Sequence, residues 1–199
     1  MITLYTMGSD SPNIRKVTII LNELDLPFSI QHVQKHADNE SDNEFLRVNP
    51  NGTVPAIYDP ETDTALFESG AILYYLAHKS RQLLPDEPKP RAEVMKWLMF
   101  ESANMGPVMG ELYYYILAGD DLPEHYLQRY KDKVANFCAI IERRLEGRDY
   151  LGDVYSIADI VLYPWTIILE DMADILLSDY PNLEKWAARI DQRPSTQST

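Results

Sequence analysis

The chain has 199 residues, 45% of them hydrophobic and 25% charged, an ordinary globular balance that excludes disorder over its length and allows one large or two small domains. Eighteen Lys and Arg stand against 31 Asp and Glu, a formal net charge of −13, which argues against nucleic acid or anionic lipid as a partner because both call for a basic surface. A single cysteine, Cys138, permits no internal disulfide, cysteine-rich zinc site or paired-cysteine redox centre, and without a basic-then-apolar leader or a long apolar run the expected setting is the cytoplasm.

Ile2–Thr6 is predicted to be a buried strand. Ser11-Pro12 then signals a helix start, serine at the cap and proline in the first turn. Ile14, Val17, Leu21 and Leu24 follow at helical spacing. Phe28–Val33 is predicted as a second strand. The acidic stretch His36–Glu44 is expected to be an exposed loop with a short helix after it, and Asn49-Pro50-Asn51-Gly52 is a turn cluster. Val54–Tyr58 and Ala65–Phe67 are expected as short strands around the turn Asp59–Asp63, before a helix opened by Glu68-Ser69. The order β-α-β followed by β-β-α predicts parallel pairing in the first half and a hairpin in the second. A mixed four-stranded sheet flanked by helices is the economical packing.

Leu84–Pro90, with three prolines, is expected to be a linker. Beyond it no strand pattern of comparable strength occurs. Arg91–Leu117 is predicted as a long helix broken or kinked at Gly106-Pro107, Pro123–Leu145 as a second, Ser156–Glu170 as a third with Pro164 inside it, and Asn182–Gln192 as a fourth. The domains are therefore expected at 1–80 and 91–199, joined by 81–90. Ser156 and Asp159 have the spacing of a capping box, with Tyr155 and Ile160 as its hydrophobic staple, a folding element and not a catalytic one. Cys138 falls mid-helix as a packed thiol. His32 and His36 are four apart, but on a strand running into a loop, which is not a metal pair. Nucleotide-binding glycine loops and the serine-hydrolase elbow are absent.

Three patches in order along the chain carry a resemblance: Phe45-Leu46 with Asn49-Pro50-Asn51-Gly52-Thr53-Val54-Pro55-Ala56, then Phe67-Glu68-Ser69-Gly70-Ala71-Ile72, then Ser156-Ile157-Ala158-Asp159. Together they resemble the cytosolic glutathione transferase family over essentially the full length. Ser11-Pro12-Asn13 with Arg15-Lys16-Val17 is similar to the bacterial nu class, related to the fungal Ure2-like proteins. The resemblance implies a thioredoxin-like N-terminal domain with its mixed sheet, an all-α C-terminal bundle, and a homodimer. It further implies glutathione, reduced or oxidised, as the co-substrate. The partner would be a small electrophile or a disulfide, no metal would be needed, and glutathione-dependent disulfide reduction would proceed without a protein cysteine.

What glutathione requires can be set against these residues. The resemblance implies a cis bond at Val54-Pro55, after which the Val54 backbone could pair with the ligand as an added strand. Glu68 and Ser69 at a helix start suit the γ-glutamyl ammonium and carboxylate, although Ser69 would equally serve as a plain cap. Ser11 and Asn13 are the candidates to hold the sulfur as thiolate, with Ser9 a rival donor, Ser11 alternatively a mere helix cap, and Tyr5 better read as packing. Arg15, Lys16 and Arg129 are candidate partners for the ligand's carboxylates. Thr53 stands where the family often has lysine, which leaves open how the glycyl carboxylate is held, and the acidic Glu40 is awkward in a loop near the ligand. Met105, the run Tyr113-Tyr114-Tyr115 and Trp165 are candidates for an apolar acceptor wall. A non-catalytic ligand carrier or interaction module on the same fold is the alternative.

Overall fold

A computed structural model describes residues 1–8, 11–34, 40–118 and 123–197. The chain divides into two compact units, Met1–Leu84 with the tail from Pro194, and Pro85–Arg193.

In the first unit the elements run β1 (Ile2–Thr6), α1 (Pro12–Glu23), β2 (Phe28–His32), α2 (Glu40–Val48), β3 (Ala56–Asp59), β4 (Thr64–Phe67) and α3 (Ser69–Ser80). The sheet order is β2-β1-β3-β4. β1 and β2 are parallel, while β3 is antiparallel to both β1 and β4, as the crossover helix and the hairpin predict. The short helix expected after the acidic stretch is α2, and residues 35–39 of that stretch lie outside the described ones. The strand expected to start at Val54 starts at Ala56, because Pro55 has no N–H to give a ladder.

Alternation along β1 sends Leu4 to one face of the sheet and Tyr5 to the other. On the first face the buried residues of α1 (Ile14, Val17, Ile20, Leu21) and α3 (Ile72, Leu73, Leu76) form the main core with Leu4 and Ile57. On the second face Tyr5, Val33 and Ala56 pack against Phe45 of α2. The tail helix α10 (Pro194–Gln197) lies on α1. There Ser195 Oγ donates to the Glu23 carboxylate and Arg15 Nη2 to the Thr196 carbonyl at 3.5 Å. Its contacts set it with the sheet unit, whereas its sequence position groups it with the helical half.

The second unit holds no strand among its described residues. α4 (Pro88–Phe100) passes through a π-helical turn (Glu101–Met105) into α5 (Gly106–Ala118), followed by α6 (Glu124–Leu145), α7 (Ile157–Thr166), α8 (Leu169–Ala173), a 3₁₀ turn (Leu177–Asp179) and α9 (Pro181–Asp191). Three expectations are corrected here. Pro88 and Pro90 belong to the first turn of α4 and not to a linker, since the N–H groups they lack would be unpaired there anyway. Gly106-Pro107 does not break the helix: the widened turn before it lets Gly106 N–H donate to Glu101 C=O, five residues back. The helix around Pro164 stops at Thr166, and α8 follows separately. All ten residues of α7 are buried, so this short helix is the centre of the unit.

Candidate functional site

The strand register fixes where the site must be. Tyr5 of β1 lies opposite Ala56 of β3, and Ala56 lies opposite Phe67 of β4. The chain therefore leaves β1 toward Ser11, enters β3 from Val54-Pro55 and leaves β4 into Glu68-Ser69, all at one end of the sheet. With strands about 4.8 Å apart, three segments distant in sequence are gathered within the span of a short peptide.

Ser11 occupies the cap position of α1 with extended backbone angles (φ −73°, ψ 127°), yet its side chain makes no capping hydrogen bond. The helix start is instead secured by Pro12 in the first turn. The Ser11 hydroxyl, half-buried, is thus not spent on the fold. Asn13, also half-buried, receives a hydrogen bond on Oδ1 from Lys16 Nζ at 2.7 Å. Lys16 itself has no exposed surface, so it is not a solvated surface charge. Arg15 is half-buried and turned to the tail. Ser9 lies outside the described residues.

The Val54-Pro55 bond is cis. Asn49, fully buried, holds the approach to it: Nδ2 donates to the Thr53 carbonyl at 2.6 Å and to Thr53 Oγ1 at 3.2 Å, while Oδ1 accepts from Asn51 N–H at 3.0 Å. Gly52 completes the turn at φ +66°, a region that suits glycine. The Thr53 hydroxyl also accepts from Asn51. The Val54 backbone N–H and C=O take no part in the sheet ladder or in a described turn. The sequence shows Asn49 only as part of a turn; its burial is what identifies it as the brace of the cis-proline segment.

Glu68 takes the cap position of α3 at φ +70°, ψ 115°, and its side chain caps nothing. Ser69 is the first helical residue, so the alternative of Ser69 as a plain cap is corrected: that place belongs to Glu68. An exposed carboxylate and a half-buried hydroxyl stand at the free N–H groups of a twelve-residue helix. Glutamate at positive φ is a strained backbone, of the kind that persists where surrounding structure over-determines it.

Tyr5 is buried against Phe45, ring centroids 5.5 Å apart, and burial, assisted by Glu44, raises its phenol above the usual range. It is a packing residue. In the second unit Met105 and Trp165 are buried, Trp165 Nε1 donating to Glu101 at 2.9 Å. Of the residues expected for an apolar wall, the three tyrosines keep exposed surface, the Tyr113 ring standing edge-on to Trp165 at 6.5 Å. Tyr114 is the exposed member of the tyrosine run. Arg129 is exposed on α6. Cys138 is buried, and burial pushes its thiol up to about 12, which leaves it without thiolate at neutral pH. Ser156 and Asp159 form the expected capping box. No group of three or more His, Cys, Asp or Glu that could hold a metal occurs among the described residues, and no helix among them is long and apolar enough to cross a membrane.

Comparison with known proteins supplies the context. The family model for the glutathione S-transferase N-terminal domain matches residues 10–79, and that for the C-terminal domain matches residues 124–189. The chain is 34% identical to the disulfide-bond oxidoreductase YfcG of Escherichia coli, over 98% of this chain and 93% of that protein. Among solved structures it is similar to a glutathione transferase from Pseudomonas putida with one glutathione disulfide bound per subunit, at 31% identity and a TM-score of 0.87, covering 99% of this chain and 89% of that one. It is likewise similar to a glutathione transferase family member from Pseudomonas fluorescens with two glutathione bound, at 33% identity and a TM-score of 0.87, covering 99% and 91%.

Proposed function

This chain belongs to the glutathione S-transferase family, and on that premise we propose that it binds glutathione at the Ser11, Val54 and Glu68 end of its sheet and activates the sulfur for attack on disulfides. The supporting observation is the set of polar groups that the fold gathers there and does not use: the Ser11 hydroxyl, the Val54 backbone and the Glu68-Ser69 pair. A γ-glutamyl ammonium would meet Glu68, and its carboxylate would meet Ser69 and the free N–H groups of α3. The cysteinyl backbone would pair with Val54 as an added strand, and Thr53 would lie beside it. Ser11 and Asn13 would then face the sulfur. Arg129 is the proposed partner for a ligand carboxylate, and Tyr113 the proposed apolar contact to the acceptor.

A free thiol has a pKa near 8.5, so roughly 3% is thiolate at pH 7. Lowering it by about two units requires about 2.7 kcal/mol in favour of the anion. One or two hydrogen bonds to the charged sulfur, at about 1.5–3 kcal/mol each, supply that. The thiolate attacks one sulfur of a disulfide, a new S–S bond forms, and the old one breaks with release of the second sulfur as a thiolate that takes up a proton. A second glutathione thiolate attacks the mixed disulfide in the same way, so two glutathiones become glutathione disulfide and the substrate becomes two thiols. With Cys138 buried and protonated, glutathione supplies the sulfur chemistry. The same thiolate would also add to an electrophilic carbon. The reading places the enzyme in the cytoplasm as a homodimer.

The test uses one preparation and two acceptors, a small symmetrical disulfide and an activated aryl halide, with glutathione in each. The disulfide should be the faster substrate. Ser11→Ala and Asn13→Ala should each lower kcat about 10–100-fold with an unchanged circular-dichroism spectrum and melting temperature. Binding of glutathione by calorimetry with turnover of neither acceptor would point to a carrier, and no heat with reduced or oxidised glutathione would end the proposal.

A further inference from the structure

Lys16 is a buried ammonium group that the reaction outlined above does not use. Its residue has no exposed surface, and its Nζ stands 2.7 Å from Asn13 Oδ1, one helical turn earlier on α1. An ammonium group is strongly hydrated in water, and burial is tolerated only where acceptors replace that hydration. Asn13 Oδ1 is one such acceptor. The ammonium has donors and no lone pair, so it can face only the carbonyl side of the Asn13 amide. The choice between the two amide orientations, nearly even for a solvated asparagine, is thereby settled. Nδ2 with its two hydrogens is the end of the side chain left to a guest. The charge on Lys16 also draws electron density through the amide and strengthens Nδ2–H as a donor.

We propose that Lys16 is a positioning residue for the glutathione sulfur: it locks Asn13 with its donor end toward the site and acts on the thiolate through that amide, without touching the ligand. This inference rests on the proposed role of Asn13 and adds to it a buried partner three residues on.

The experiment is a double-mutant cycle on the full chain, read by the pH dependence of the thiolate absorbance of bound glutathione. The variants are Asn13→Ala, Lys16→Met and the pair. Methionine keeps the length of the buried stem, and a melting curve for each variant reports the fold. Lys16→Met should leave the affinity for glutathione within about threefold while raising the bound thiol's pKa by about one unit, which is about tenfold less thiolate at neutral pH. Asn13→Ala should do at least as much, and the pair should equal Asn13→Ala alone. An additive pair would make Lys16 a bare charge and overturn positioning. A bound thiol unmoved by Lys16→Met but moved by Asn13→Ala would overturn the inference and leave the glutathione reading standing. A bound thiol unmoved by Asn13→Ala would sink both. The unmutated protein gives a second measurement that needs no variant: the Asn13 side-chain amide resonances should shift when glutathione is added. Unresponsive resonances would count against the lock.

Discussion

Glu68 shows how one residue can carry a cost that the fold alone does not explain. At φ +70° its Cβ is held in a region that glycine enters freely and glutamate does not, at an expense of about 1–3 kcal/mol. Its side chain caps nothing in return. If the strain is tolerated for the ligand, stability and binding should separate on substitution. Glu68→Gly is expected to leave the melting temperature unchanged or higher, because relief of strain offsets the added freedom of the unfolded chain. The affinity for reduced glutathione should fall at least tenfold in the same protein, measured by calorimetry. A variant that melts earlier and still binds would show that the conformation serves packing. Ser11, Asn13 and Glu68-Ser69 are legible in sequence because their types and order match a known pattern. Lys16 and Asn49 belong to the same patches, but only burial reveals that each is committed to a neighbour.

Among the elements, the strands and helices with period-two or helical patterning stand where the sequence predicts them, since burial of one face dictates that period. The exceptions involve proline. A cluster of prolines suggests a linker, but two of them fit the first turn of α4, where no N–H is needed. Pro107 suggests a break, but the turn before it widens by one residue and the helix continues. Gly106 closes the widened turn, and a Cβ there would fall 2.5 Å from Glu101 Oε1. α7 is the element whose start is most fully specified. Asp159 accepts from Ser156 N–H at 3.0 Å, from Leu151 N–H at 2.9 Å and from Trp186 Nε1–H at 2.8 Å. One carboxylate thus joins the α7 cap, the preceding loop and α9. Asp159→Ala would orphan three buried donors, and at about 1–3 kcal/mol each it should destabilise the protein by at least about 3 kcal/mol. Urea unfolding measures this directly. A loss below about 1 kcal/mol would mean that the cap is dispensable.

At the scale of the whole molecule, two of the buried carboxylates, Asp59 in the first unit and Asp159 in the second, are shifted in opposite directions and should shape the response to acid. Burial pushes Asp159 up to about 6, against the hydrogen bonds from Leu151, Trp186 and Ser156 that favour its charge. Burial also opposes the charge on Asp59, but the hydrogen bonds from Lys79 at 2.5 Å and Tyr75 at 2.7 Å outweigh it, and the carboxyl is held below its ordinary value. The signs are therefore opposite. A carboxyl raised by folding binds its proton more tightly in the folded state, so the Asp159 contribution to stability is complete below about pH 4 and is lost as pH rises through about 6. A carboxyl lowered by folding contributes above its unfolded value near 3.9 and loses that contribution as pH falls. Denaturant unfolding between about pH 7 and about pH 2 should display both with two conservative variants. Relative to Asp159→Asn, the unmutated protein should lose up to about 3 kcal/mol of its advantage as pH rises from about 4 to about 6, from a shift of about two units. Relative to Asp59→Asn, it should lose its advantage in the other direction, as pH falls below about 4. Parallel slopes for the two variants would show that net charge, −13 at neutral pH, governs the acid response and that neither buried carboxylate does.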